Sequence, residues 1–246
     1  MRLLISVASA TDAAAALAGG ADLIDAKDVH AGALGRVAPA VLRAIRAVVA
    51  GARPVTAALG DADDEATIEC AARTFAAGGA ALVKIGFAGI SSSGRAAALT
   101  AAAVCGAKAE GAGVVAVAYG DAVRASSLRA ATLVDVAART GAEGLLIDTW
   151  DKKGPGLRGL IAPRDLEMLV AQAHRAGLFV ALAGRLTADD LRFVREVGAD
   201  VAGVRGAACD GGRTGRTTAD RVRVLRQVCG TDAAPCLELT RQRAVH

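Results

Sequence analysis

Aromatic side chains make up only 2% of this 246-residue chain, with a single Trp and a single Tyr. Stacking platforms for single-stranded nucleic acid need such rings, so the net charge of +4 points to anionic small molecules before RNA or DNA. Cysteine and histidine are also scarce. The five cysteines (Cys70, Cys105, Cys209, Cys229, Cys236) are odd in number and form no CxxC pair, and the three histidines (His30, His174, His246) form no HExxH-type cluster. Neither a disulfide framework nor a protein-built metal site is expected, and the cysteines read as reduced and mostly packing residues. No apolar run approaches the roughly 18 residues of a membrane span. Membrane insertion and export are therefore not expected, and a cytoplasmic location is. What remains is a chain 53% apolar and 22% charged, enough to bury a large core.

This length could hold two small domains, but α/β barrels of similar size are often one, and one is expected here. Short β-type runs occur at 3–9, 22–27, 55–60, 82–87, 114–120, 144–150, 179–185 and 201–207. Ala-rich segments with helical apolar spacing separate them, among them 41–49, 66–77, 133–141, 165–177 and 219–228. Several helices end in Gly followed by a small residue and the next strand (GGAD 19–22, GGAA 78–81, GAE 141–143, GAD 198–200), the pattern of a left-handed C-cap leading into a short loop. Nearly continuous apolar strands suit a parallel sheet covered by helices, and eight such units predict a single-domain (β/α)8 TIM barrel over residues 1–229. An open doubly wound sheet is the alternative, but GxGxxG is missing after the first strand, which reads VASATDA. Residues 230–246 are expected to form a C-terminal tail.

Only five of the 29 basic residues are lysine: Lys27, Lys84, Lys108, Lys152 and Lys153. Four of them fall in or just after predicted strands, at the end of the barrel where active sites are built. Arginine cannot substitute where a neutral amine is needed, because guanidinium stays protonated while an ammonium pKa can be driven down by burial and neighbouring cations. A Schiff-base or proton-transfer role is read for Lys27 and Lys84, and snorkelling or ion pairing for Lys153. Asp25 lies two residues before Lys27, on the same strand face, and Asp148 lies near the end of the sixth strand. Amines interleaved with acids are what imine and enamine chemistry requires. A satisfied ion-pair cluster is the alternative, at the cost of burying many charges without a use.

Phosphate handling has its own signals. The seventh strand runs into Gly184 and Arg185, followed by Thr187 as an N-cap, and the eighth into Arg205 and Gly206. Barrels often hold phosphate in these two loops, on backbone N–H groups and a helix N-terminus. The stretch GGRTGR (211–216) reads as a flexible basic lid or, more plainly, as a solvated loop.

Together, DLIDAKDVHAGALG (22–35), VKIGFAG (83–89), LLIDTWDKKG (145–154), ALAG (181–184) and GVRGAACDGG (203–212) resemble the (5-formylfuran-3-yl)methyl phosphate synthase family of methanofuran-type cofactor biosynthesis, from residue 1 to about 229. The resemblance implies a class I aldolase-like lyase that condenses two glyceraldehyde 3-phosphate molecules into 4-(hydroxymethyl)-2-furaldehyde phosphate. Phosphate and water are released, without metal or redox cofactor. It further implies Lys27 as the Schiff-base lysine and Lys84 as a proton-transfer residue, with Asp25, Asp148 and Lys152 matching family positions near the amines. Trp150, Asp151, Lys153 and Pro155 depart from the family pattern, which leaves the division of roles between Lys152 and Lys153 open. Homo-oligomerisation is expected from the family and from the apolar fraction. Two other classes stay open: another Schiff-base phosphosugar aldolase or isomerase on the same barrel, and a non-catalytic module binding anionic metabolites or nucleic acid.

Overall fold

A computed structural model describes residues 1–230. Eight parallel strands close a barrel in sequence order: β1 (Arg2–Val7), β2 (Leu23–Ala26), β3 (Val55–Asp61), β4 (Leu82–Gly86), β5 (Gly113–Tyr119), β6 (Gly144–Asp148), β7 (Phe179–Leu182) and β8 (Val201–Val204), with β8 pairing back onto β1. The helices between them are α1 (Ala10–Ala18), α2 (Pro39–Val49), α3 (Glu65–Ala77), α4 (Ser93–Lys108), α5 (Ala130–Thr140), the short α6 (Leu157–Leu160), α7 (Pro163–Arg175), α8 (Ala188–Glu196) and α9 (Ala219–Cys229). The predicted single-domain barrel is therefore the observed one. The predicted tail, beyond Gly230, lies outside the described residues.

Local chemistry starts and stops these helices. Ser9, Asp64 and Ser92 cap α1, α3 and α4 by accepting from the backbone N–H three residues on. Pro39 and Pro163 open α2 and α7, where a missing N–H costs nothing. Thr187 is the N-cap of α8, its N–H and hydroxyl both donating to Asp190 Oδ2. At the other ends Gly20, Gly79, Gly141 and Gly198 adopt positive φ, as the Gly-small-strand pattern requires.

Alternation along each strand builds two cores. Outward residues such as Ile5, Ile24, Ile85, Ile147 and Leu182 pack beneath the helices. Inward residues Leu4, Leu23, Leu82, Val115, Leu146 and Val201 fill the barrel floor. One residue pair further along, the inward positions turn polar: Ser6 lies beside Asp25, and Asp25 beside Thr56, on three consecutive strands. A buried apolar floor thus carries a polar layer at the C-terminal end.

The strands stop earlier than the apolar runs suggest, at Ala26, Asp148, Leu182 and Val204. Beyond these points the backbone leaves the ladder, with Gly184 at φ 105° and Arg185 at φ 60°. A non-glycine residue in the left-handed region is uncommon, and such strain concentrates at functional sites.

Candidate active site

A cavity of about 400 Å³ opens at the C-terminal end of the barrel, with Leu4, Leu23, Leu82 and Val115 at its floor. Lys27, Lys84, Asp148 and Lys152 line it, as do Gly184, Arg185, Arg205 and Gly206 from the loops after β7 and β8. Asp25 lies beneath them, wholly buried. The sequence-predicted residues therefore converge on one place.

Register explains the first cluster. Asp25 sits between Ser6 and Thr56, accepting from Ser6 Oγ at 2.9 Å on one oxygen and from Thr56 Oγ1 at 2.7 Å on the other. The ammonium of Lys84, from β4, reaches Asp25 Oδ1 at 2.6 Å. Both carboxylate oxygens are satisfied, which is how a buried acid can be held. The second cluster spans the barrel axis. Lys27 follows β2, its N–H held by the carbonyl of Val7, and its Nζ lies 3.7 Å from Asp148 Oδ2 on the opposite strand β6. Asp148 Oδ1 accepts from Lys152 Nζ at 2.6 Å and from the Thr149 N–H at 2.7 Å.

Burial pushes the Lys27 ammonium pKa down to about 7, and repulsion from Lys152 and Lys84 adds to the shift while Asp148 and Asp25 oppose it. Burial alone would raise the Asp148 carboxyl, but Lys152, Lys27 and the hydrogen bonds hold it below the usual carboxylate range. The pair thus joins an amine able to be neutral near neutral pH to an acid held ionised. Such an arrangement suits nucleophilic attack on a carbonyl followed by proton transfer. Lys153 is exposed, and Lys108 ends α4 at the other end of the barrel.

The phosphate candidates divide into two kinds. Arg185, exposed, extends to the carbonyl of Gly154 in the loop after β6. Gly184 cannot take a side chain: a Cβ there would lie 2.8 Å from Thr149 Cγ2, and its φ is positive. Arg205 is different. Its guanidinium donates to Asp12 Oδ2 at 2.7 Å, to the Ser6 carbonyl, to Thr217 Oγ1, to the Gly215 carbonyl at 2.6 Å and to the Arg213 carbonyl. Expected as a ligand for phosphate, Arg205 instead has its donors engaged inside the protein, where it braces the mouth. Asp12 is held below the usual range: burial would raise it, and the bond from Arg205 together with the Thr217 and Ala8 N–H groups outweighs that.

Three features escaped the sequence reading. The stretch 211–216 is largely exposed, as the solvated-loop reading expects, but it is ordered as a small hairpin that runs from β9 (Cys209–Asp210) into β10 (Arg216–Thr217). Its Arg213 reaches back across the mouth to the carbonyls of Val29 and Gly32. Tyr119, at the end of β5, donates to Asp61 Oδ1 at 2.5 Å, and burial and that carboxylate raise its pKa. The glycines flanking Arg213 were the available signal for the first two; Tyr119 left none beyond being the sole tyrosine. Of the cysteines, Cys209 and Cys229 are buried as expected, while Cys70 and Cys105 are exposed. Among the described residues no helix is long and apolar enough to cross a membrane.

Comparison with known proteins agrees with this geometry. Residues 3–226 match the model of the family described as 4-HFC-P synthase. The (5-formylfuran-3-yl)methyl phosphate synthase of Methanocaldococcus jannaschii is 35% identical over 234 residues, 93% of this chain and 100% of that protein. The enzyme of the same name from Methanopyrus kandleri is 37% identical, covering 87% of this chain and 92% of its own. Among solved structures, a 3-hexulose-6-phosphate synthase superposes with TM-score 0.64 at 24% identity, over 93% of this chain and 99% of that one, a likeness of fold. With the barrel, the amine-rich mouth and these relatives in agreement, the chain belongs to the (5-formylfuran-3-yl)methyl phosphate synthase family of enzymes.

Proposed function

We propose that this chain condenses two molecules of glyceraldehyde 3-phosphate through an imine on Lys27 to give 4-(hydroxymethyl)-2-furaldehyde phosphate, the furan of a methanofuran-type cofactor. The observation that carries the reading is the Lys27 amine, buried at the cavity with its pKa lowered to about 7 and set 3.7 Å from a carboxylate that a second ammonium holds.

The neutral Lys27 amine adds to the aldehyde carbon of one triose phosphate, and the carbinolamine loses water to form the imine. Lys152, bonded to Asp148, supplies the proton that lets that hydroxyl leave. Loss of the α-proton, taken up by the Lys84 and Asp25 pair, gives an enamine, and elimination of phosphate from the second triose gives 2-hydroxyacrolein, whose terminal carbon the enamine carbon attacks. Ring closure of the second triose's C2 hydroxyl onto the imine carbon, dehydration and departure of the Lys27 amine then complete the furan. One phosphate and two waters leave, which balances two trioses against the aromatic product. Gly184, Arg185 and Gly206 receive phosphate, and Arg205 positions their loops.

The test is borohydride trapping with glyceraldehyde 3-phosphate, followed by peptide mapping, beside an unreduced sample monitored for furan absorbance. The expected result is a triose adduct on Lys27 with furan in the parallel sample, both lost in Lys27→Ala. Retained furan synthesis in that variant would refute the role of Lys27, and an adduct without furan would mean a different aldolase.

A further inference from the structure

We infer that Arg213 forms a second phosphate subsite, binding the phosphate of the triose whose carbonyl meets Lys27, on the side of the loop after β2 rather than that of Gly184 and Arg185. Six cations line the cavity: Lys27, Lys84, Lys152, Arg185, Arg205 and Arg213. Carboxylates neutralise most of them. Lys84 pairs with Asp25, Arg205 with Asp12, and Lys152, with Lys27 behind it, pairs with Asp148. The two with no carboxylate within ion-pair distance among the described residues are Arg185 and Arg213, each hydrogen-bonded only to backbone carbonyls.

They lie on different sides of the mouth. Arg185 links the loop after β7 to that after β6, whereas Arg213 links the hairpin after β8 to residues 29–32, the loop that begins just past Lys27. Arg213 is half-buried; burial lowers its pKa, Arg205 adds to that, and the more distant Asp148 and Asp28 oppose it, so its guanidinium lies in the field of the Lys27 cluster without a carboxylate in contact. A partly desolvated guanidinium whose only hydrogen-bond acceptors are neutral carbonyls would be bound more strongly by a dianion in the cavity. Its backbone is held in place for the purpose: Arg205 donates to the carbonyls of Arg213 and Gly215, and Gly215 admits no Cβ, which would lie 1.8 Å from the Asp210 carbonyl. Two unpaired arginines fit a reaction that brings two phosphates into one cavity.

The assignment to the Lys27-bound triose rests on the imine reading above, so the test separates the two. Adduct formation on Lys27 is compared for glyceraldehyde 3-phosphate and for unphosphorylated glyceraldehyde, which offers the same carbonyl. Arg213→Ala is expected to lower the ratio of trapping efficiencies, phosphorylated over unphosphorylated, by roughly 10–100-fold, the loss of one charge-assisted contact. General damage to the mouth would lower both efficiencies and leave their ratio unchanged, and an unchanged ratio overturns the proposal. Arg213→Lys, which keeps the charge without the planar fork, should give an intermediate ratio and serves if the alanine variant fails to fold. Should wild type form no adduct with either aldehyde, the imine reading fails, and calorimetric titration with glycerol 3-phosphate decides on Arg213 alone. Weakening by the same factor in Arg213→Ala supports the subsite; identical isotherms, or no binding by wild type, overturn it.

Discussion

Replacing Lys27 by Met should make the protein's stability less dependent on pH. Lys27 retains only 8% of its exposure, and its pKa falls from an unfolded value near 10.5 to about 7. Between those two values the unfolded chain keeps the amine protonated while the folded chain has released it. The unfolded state therefore binds more protons, and stability climbs as pH rises through this window. Below pH 7 both states are protonated and the burial penalty is present in full. From pH 6 to pH 9 the folded group lies deprotonated for about two pH units, which at ~1.4 kcal/mol per unit amounts to about 3 kcal/mol. Lys27→Met removes this contribution with an unbranched side chain of similar length that suits the apolar stem's surroundings. Urea denaturation of both proteins at pH 6 and pH 9, with linear extrapolation, cancels the titrating groups that do not interact with Lys27. The advantage of the Met variant over wild type should shrink by about 3 kcal/mol on going to pH 9. A difference that stays constant to within about 0.5 kcal/mol would refute the lowered pKa, and with it the neutral nucleophile.

Three further outcomes follow from the same geometry. Lys152→Met removes one of the cations that push Lys27 down and frees Asp148 for it, so the pH midpoint of borohydride trapping should move up by about one unit; an unmoved midpoint would contradict the coupling. Asp148→Asn strands Lys152 and Lys27 at a buried site and should cost roughly 3–5 kcal/mol in chemical denaturation, an effect far above that of an exposed acid such as Asp220. Tyr119→Phe deletes the bond to Asp61, which also holds the Ala88 N–H, and should cost about 1 kcal/mol, with wild-type stability as the result that would count against it.

Much of this molecule could be read in advance because two periodicities coincide in it. Strands covered on both faces read as unbroken apolar runs, and the departures from them, Asp25 in β2 with Lys27 just beyond it, Lys84 in β4 and Asp148 in β6, mark positions at the polar layer. An avoided lysine is conspicuous when it occurs there. What periodicity cannot report is contact between distant segments. Arg205 and Asp12 are 193 residues apart, and Arg213 and Val29 are 184 apart. From sequence, Arg205 and Arg185 look alike, each an arginine beside a glycine after a strand. Only the fold shows that one is engaged by Asp12 and several carbonyls while the other, exposed, donates to the Gly154 carbonyl alone. The ladder ends short of the expected runs for a related reason: Thr149, buried, and Ala183, half-buried, stay β-branched or apolar beyond it because the loops there still pack over the barrel, while Trp150 is exposed.

The brace of Arg205 has a consequence for the order in which the protein can be made. It ties Ser6 and Asp12, at the first strand and helix, to residues 213–217, near the last helix, across the seam where β8 closes onto β1. A chain emerging from the ribosome can build each β-strand with its following helix as it appears, because those contacts are local. It cannot assemble the mouth until the hairpin after β8 has been synthesised and has swung back to its beginning. Until then the Lys27 amine and its carboxylates are without the guanidinium that completes their surroundings, so nascent or truncated chains expose an unfinished site. The same seam makes the ends of the barrel neighbours. A circularly permuted chain opened between two middle helices would carry this brace as a short-range contact, form it early, and should close the barrel faster than the natural order does.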